Sequence, residues 1–154
     1  MIEINLEKFR QLVEAKREEN QRFRFFLEKQ NPKPIDEIVH RLNREVTAKV
    51  DCVQCGNCCH NIRPVATDEE LLQYVKPENL EELRYAYSIV CKNLNGNACT
   101  IYPNRYFECR AFPYLDRENF IQRIVGVLNN YELCPIVYHV VEELKLELNW
   151  KGNR

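Results

Sequence analysis

Four cysteines crowd one short stretch of this chain, Asp51-Cys52-Val53-Gln54-Cys55-Gly56-Asn57-Cys58-Cys59-His60. Two residues separate Cys52 from Cys55 and Cys55 from Cys58. A loop of that spacing turns several sulfurs toward one centre while backbone amides point at them. It is also the spacing of the first three ligands in bacterial-type ferredoxins. Thiolates are soft ligands that suit zinc and iron–sulfur clusters alike. Gly56 permits a backbone turn that a larger residue would strain. The bland alternative, thiols packed in a core, does not account for so dense a cluster. Adjacent Cys58 and Cys59 add a constraint, because neighbouring side chains diverge. Both would join one small tetrahedral zinc only with strain, so one is expected to serve a second site or to pack as a small apolar residue.

The other four cysteines, Cys91, Cys99, Cys109 and Cys134, are dispersed, and only the fold can bring them in. Eight thiols allow two four-thiolate sites of zinc or iron–sulfur type, or one cluster with the rest structural. Cys134 precedes Pro135 at an expected helix start. Free amides and a partial positive charge there favour a thiolate, and Pro135 costs little because its position lacks a helical N–H partner. His60 reads as a hydrogen-bonding neighbour rather than a ligand, and His40 and His139 as surface or packing residues. Arg105 and Arg110 either offset the negative charge of a thiolate centre or pair with nearby acids at the surface. Tyr102, Tyr106, Phe107, Phe112 and Tyr114 read as the apolar wall of the site. No Ser-His-Asp arrangement and no glycine-rich phosphate loop occurs, so no catalytic constellation is found.

Composition narrows the surroundings. With 22 basic and 23 acidic residues the net charge is −1, which gives no general reason to bind nucleic acid or an anionic membrane. Apolar residues make up 45% and charged residues 29%, ordinary values for a globular chain. The start, Met1 to Glu7, lacks the pattern of a signal peptide, and no stretch approaches a membrane span. The expectation is a cytoplasmic protein whose cysteines are metal ligands rather than disulfides.

The elements that must position these residues are read from periodicity. Residues 2–30 predict one long helix, with Ile2, Leu6, Phe9, Leu12, Val13, Phe23, Phe26 and Leu27 at helical spacing and a solvated middle between Lys16 and Arg22. Asn31-Pro32-Lys33-Pro34 breaks it. A second helix follows, with Ile35, Ile38, Val39, Leu42 and Val46 on one face. Thr67-Asp68-Glu69-Glu70 looks like a capping box opening a short helix lined by Leu71, Leu72 and Val75. Pro77 starts another, lined by Leu80, Leu83, Tyr87 and Val90. Leu94-Asn95-Gly96-Asn97 signals a hairpin between Cys91 and Cys99. Phe120 to Val125 predicts a strand, paired through the turn 116–119 with residues around Phe112 to Leu115. The last helix runs from about Pro135 to Leu148, with Ile136, Val137, Val140, Val141, Leu144 and Leu148 inward. The fold class is therefore α+β, mostly α-helical, with a small cysteine-lined core and short β-hairpins. Residues 1–49 form an N-terminal helical region packing on the same core, and residues 50–154 the cysteine-cluster metal-binding region.

The combined motifs resemble the YkgJ-type cysteine-cluster family of zinc- or iron-chelating or iron–sulfur proteins. The features that carry the resemblance are Cys-x-x-Cys-Gly-x-Cys-Cys at 52–59, Cys91 before a short turn, Cys99-Thr100-Ile101-Tyr102, Arg105, Cys109-Arg110-Ala111-Phe112-Pro113 and Cys134-Pro135. All eight cysteines match, over roughly residues 50–136. Tyr106 and Ile136 depart from the family's usual proline and glycine, which touches loop geometry rather than ligands. The resemblance implies a metal module but no defined reaction. The leading expectation is an iron–sulfur cluster of 4Fe–4S type in electron transfer or redox sensing, with a redox or protein partner. The alternative is one or two zinc ions stabilising an interaction module, with self-association through the N-terminal helix. An enzyme is a third class. The motif also resembles a segment of flagellin lysine methylases, yet the chain leaves little room for a cofactor-binding domain.

Overall fold

A computed structural model describes residues 1–2, 4–62, 66–73, 76–81, 91 and 93–152. The chain falls into two compact units, residues 1–51 with 113–154, and residues 52–112. Within the described residues the fold is mostly helical, with one small antiparallel sheet.

The first unit is a helical bundle. Asn5 opens α1 (Leu6–Ala15), its side chain accepting from the Lys8 amide at 2.9 Å. The predicted single N-terminal helix is interrupted at Lys16, whose amide bonds back to Val13 O, and α2 (Arg17–Leu27) continues beyond it. The apolar stripe nevertheless runs through both. Phe9, Val13, Phe23 and Leu27 are buried, and Lys16 and Asn20 fill the stripe's missing steps at intervals of three and four. The expectation of a solvated middle therefore fails at Asn20, which is 5% exposed. Its partner is Lys145, 4% exposed, whose Nζ donates to Asn20 Oδ1 at 2.7 Å, Glu142 Oε1 at 2.6 Å and Glu19 Oε1 at 2.9 Å. Buried charge persists only when paired in this way.

After Asn31, which caps with its side chain, Pro32 occupies the first turn of α3 (Pro32–Thr47). As expected, Ile35, Val39, Leu42 and Val46 are buried. This helix packs along α9 (Pro135–Glu147), where Ile136, Val137, Val140, Val141 and Leu144 are buried as predicted, while Leu148 lies just past the helix end and is half-buried. The predicted strand at Phe120–Val125 is absent. Ile121–Arg123 is a turn of 3-10 helix leading into α8 (Ile124–Tyr131). Phe120, Ile121, Ile124, Val127, Leu128 and Tyr131 are buried at helical spacing, so tertiary burial overrides the β preference of the branched residues. The turn before it exists, but a side chain from α3 ends it. The Asp36 carboxylate accepts from the Asn119 amide at 2.9 Å and the Phe120 amide at 2.8 Å.

The described residues of the second unit form short pieces. They are α4 (Cys52–Cys55), α5 (Asn57–Asn61), α6 (Asp68–Leu71), β1 (Leu94–Asn95), β2 (Ala98–Cys99) and α7 (Phe107–Ala111), with 3-10 turns at Pro77–Asn79 and Tyr102–Asn104. The capping box at Thr67 and Glu70 forms as predicted. Pro77 does open a helical turn, but Val75, Leu83, Tyr87 and Val90 lie outside the described residues. The predicted hairpin is present, with Leu94 opposite Cys99 and Asn95 opposite Ala98. That register makes Gly96, at φ 60°, the first residue of the two-residue loop. Glycine in that place is the sign of a type II′ turn.

Candidate metal centre

The cysteine loop is two short helical turns joined at a glycine. In α4, Cys52 O accepts from the Gly56 amide at 3.0 Å. Gly56 then takes φ 57°, and α5 begins at Asn57. The reversal is tight on the outside too. A Cβ at Gly56 would lie 2.7 Å from Asn97 O and 2.9 Å from Asn97 Cβ. Asn97 belongs to the hairpin loop, and its side-chain amide donates to Gln54 O at 3.4 Å. The β1–β2 hairpin is thus seated on the cysteine loop, α4 packing against β2 and its Cys99. Gly56 is required both by its backbone conformation and by the approach of Asn97.

Within this unit the thiols sense one another. Burial first, and then the charges of Cys59 and Cys91, push the Cys109 thiol up to about 11, with Cys99 adding and Arg105 opposing. Cys59 is drawn down to about 6, chiefly by a hydrogen bond with Cys58, against burial, with Arg105 and His60 assisting. Burial raises Cys55, opposed by a hydrogen bond from the Asn57 backbone amide. The expected amide donation to sulfur is therefore present in the cysteine loop. The hydrogen bond that lowers Cys59 comes from its neighbour Cys58 on α5.

The supporting residues sort themselves by contact. The Arg105 charge acts on Cys59 and Cys109, while its guanidinium lies 3.8 Å over the Tyr102 ring and its Nε donates to Tyr102 O at 3.1 Å. Arg110 turns instead to backbone, donating to Arg105 O. The His60 ring meets Asn97 Oδ1 at 3.0 Å, in keeping with a hydrogen-bonding role. Tyr106 OH accepts from Asn93 Nδ2 at 3.2 Å. One tether escaped the sequence reading. Glu70 completes its capping box with one carboxylate oxygen and with Oε1 accepts from the Phe107 amide at 2.6 Å, so the box on α6 also caps α7, which carries Cys109. The signal was present as an N-terminal glutamate, but its second target lies 37 residues on.

Cys91 precedes the hairpin and its carbonyl accepts from the Leu94 amide at 3.0 Å. Cys134 belongs to the other unit, buried at the N-cap of α9 with Pro135 at its first position, as the Cys-Pro pair suggested. No disulfide links any of the eight cysteines. Among the described residues no three Cys, His, Asp or Glu side chains are already drawn in to the spacing that one metal ion requires. The donor set is nonetheless chemically suited to zinc or an iron–sulfur cluster, because thiolate sulfur is what both prefer.

The family model for the CxxCxxCC domain, described as a "putative zinc- or iron-chelating domain", matches residues 51–134, more than half of the chain. No curated protein and no solved structure gives a significant match.

Proposed function

From the premise that this chain belongs to the CxxCxxCC family of zinc- or iron-chelating domains, and so binds metal, we propose that its cysteines hold an iron–sulfur centre of 4Fe–4S type that transfers electrons or senses redox state. A cluster of this type takes four thiolates, for which Cys52, Cys55, Cys58 and Cys59 are the primary source, while Cys91, Cys99, Cys109 and the remote Cys134 supply further ligands or a second four-thiolate site. The observation that carries this reading is that the charges of Cys59, Cys91 and Cys99 all act on the half-buried Cys109 thiol and raise it. Thiols from the dense loop and from three later segments share one electrostatic environment. Thiolates that act on one another repel, and a bound cation offsets that cost.

A cluster would supply a one-electron couple, and this chain would tune it. The Arg105 charge offsets negative charge at the thiolates, the Asn57 amide donates to Cys55 sulfur, and partial burial limits solvent. A redox or protein partner exchanges the electron, and a reducing cytoplasm keeps the thiols available. Among its described residues the second unit is built from short helical turns and one small hairpin. That observation favours a second reading, zinc as a structural staple without redox chemistry.

Anaerobic purification followed by metal and acid-labile sulfide analysis tests the first reading. Iron with stoichiometric sulfide, lost in the Cys52→Ser/Cys55→Ser double variant, supports it. Colourless protein with stoichiometric zinc supports the staple. Metal content unchanged in the double variant refutes the ligand assignment for the 52–59 loop.

A further inference from the structure

The bundle unit carries a cleft of about 440 Å³, remote in sequence from the 52–59 loop, between the 113–117 segment and the outer face of α8. Its walls include Tyr114, Arg117, Arg123, Gly126 and Asn130. Four features of that wall point the same way. Arg123 is locked in place by backbone. Its Nε donates to Glu118 O at 3.0 Å, Nη1 to Tyr114 O at 3.0 Å and Nη2 to Arg117 O at 2.6 Å. Arg117 places its guanidinium 4.4 Å over the Tyr114 ring, which holds a second cation on the same wall. Tyr114 itself adopts φ 61°, a conformation that costs an L-tyrosine energy and survives only where surroundings impose it. Gly126 interrupts α8 with a poor helix former, and a Cβ built there would meet nothing within 4 Å. The glycine serves no packing need and leaves the cleft open.

We propose that this cleft binds a small oxyanion, a phosphate or carboxylate group, through Arg117 and Arg123. Three carbonyls use one N–H from each nitrogen of Arg123, and guanidinium carries five, so donors remain on Nη1 and Nη2. Burial and the neighbouring Arg117 charge both disfavour the Arg123 cation, and the carboxylates of Asp36 and Asp116 answer only part of that cost. Asp36 is engaged with the Asn119 and Phe120 amides. An oxyanion between the two guanidinium groups would offset the remainder by charge-assisted hydrogen bonds. The pre-organised Arg123 loses little freedom on binding.

Calorimetric titration of the full metal-loaded chain, at low ionic strength, with inorganic phosphate and with malonate tests the proposal, chloride serving as the control. Saturable binding of either anion is expected. Arg117→Gln, an exposed position, should weaken it at least tenfold. Gly126→Leu should abolish it by filling the cleft while leaving the helical circular dichroism intact or increased. Phosphate binding without malonate binding assigns a phosphoryl ligand, and the reverse a carboxylate. Absence of binding by both anions, or equal affinity in folded Gly126→Leu, overturns the proposal.

Discussion

Replacing Gly56 with alanine separates two costs that the structure predicts at one residue. Gly56 holds φ 57°, and Gly96 holds φ 60°. Each would pay about 1–2 kcal/mol for placing a Cβ in the left-handed region. They differ in surroundings. At Gly96 nothing lies within 4 Å of an added Cβ, whereas at Gly56 it would sit 2.7 Å from the backbone oxygen of Asn97 and 3.0 Å from its Cα. Backbone cannot swing aside as a side-chain tip can. Overpacking of this kind adds about 1–3 kcal/mol. Gly96→Ala is therefore expected to cost about 1–2 kcal/mol, and Gly56→Ala about 2–5 kcal/mol, the excess measuring how firmly the hairpin is seated on the cysteine loop. The assay is urea unfolding of the metal-loaded protein, followed by metal release. A chelator challenge runs in parallel, where Gly56→Ala should lose metal sooner than Gly96→Ala. Equal destabilisation by the two substitutions would refute the reasoning, since the close approach would then carry no energy.

The remaining predictions address both units. Lys145→Met leaves Asn20 and the Glu19 and Glu142 carboxylates without their buried cation, and should lower the bundle's stability by about 3 kcal/mol in urea titrations. Partial burial opposes ionisation of Glu19, but hydrogen bonds from Lys16 and Lys145 prevail and hold its carboxyl below the usual value of 4.5. Its contribution is thus complete above that pH and fades as pH falls through the lower folded value, a slope that Glu19→Gln should flatten. Burial likewise lowers the His139 pKa from 6.5, against the pull of Glu143 and Glu142. The unfolded chain then takes the proton first, so stability should decline as pH drops below about 6.5, and His139→Gln should remove that component. Glu70→Ala strips α7 of the acceptor for its Phe107 amide, and is expected to speed metal loss to a chelator severalfold while the bundle's helical signal is unchanged.

How much was legible follows from where each signal's partner lies in the chain. Helix α3, the capping box at Thr67, the 94–99 hairpin and the start of α9 at Pro135 were all readable. In each, the deciding residues are neighbours: a cap, a proline at the first turn, a glycine in a tight loop. The segment at Phe120 fits a strand as well as a helix, because Phe120, Ile121, Ile124 and Val125 are four β-preferring residues among six. Only burial of Ile124, Val127, Leu128 and Tyr131 against the bundle decides for helix.

Residue types and short separations already carry the donor chemistry of this protein: thiolates at ferredoxin-like spacing, a glycine at their reversal, and membership of a metal-chelating family over residues 51–134. Those are properties of residue type and short separation, which survive without a fold. Which side chains meet depends on how the chain packs. Packing set Asn20 and Lys145, 125 residues apart, on one buried hydrogen bond inside a stretch that reads as solvated. It gave Glu70 a second amide at Phe107, brought the Cys109 thiol under the influence of Cys59, Cys91 and Cys99, and let the Arg105 charge act on Cys59 and Cys109. A polar residue shows in sequence only that it needs a partner. Which partner it finds depends on the packing of apolar faces, and that is fixed only when the chain has closed on itself.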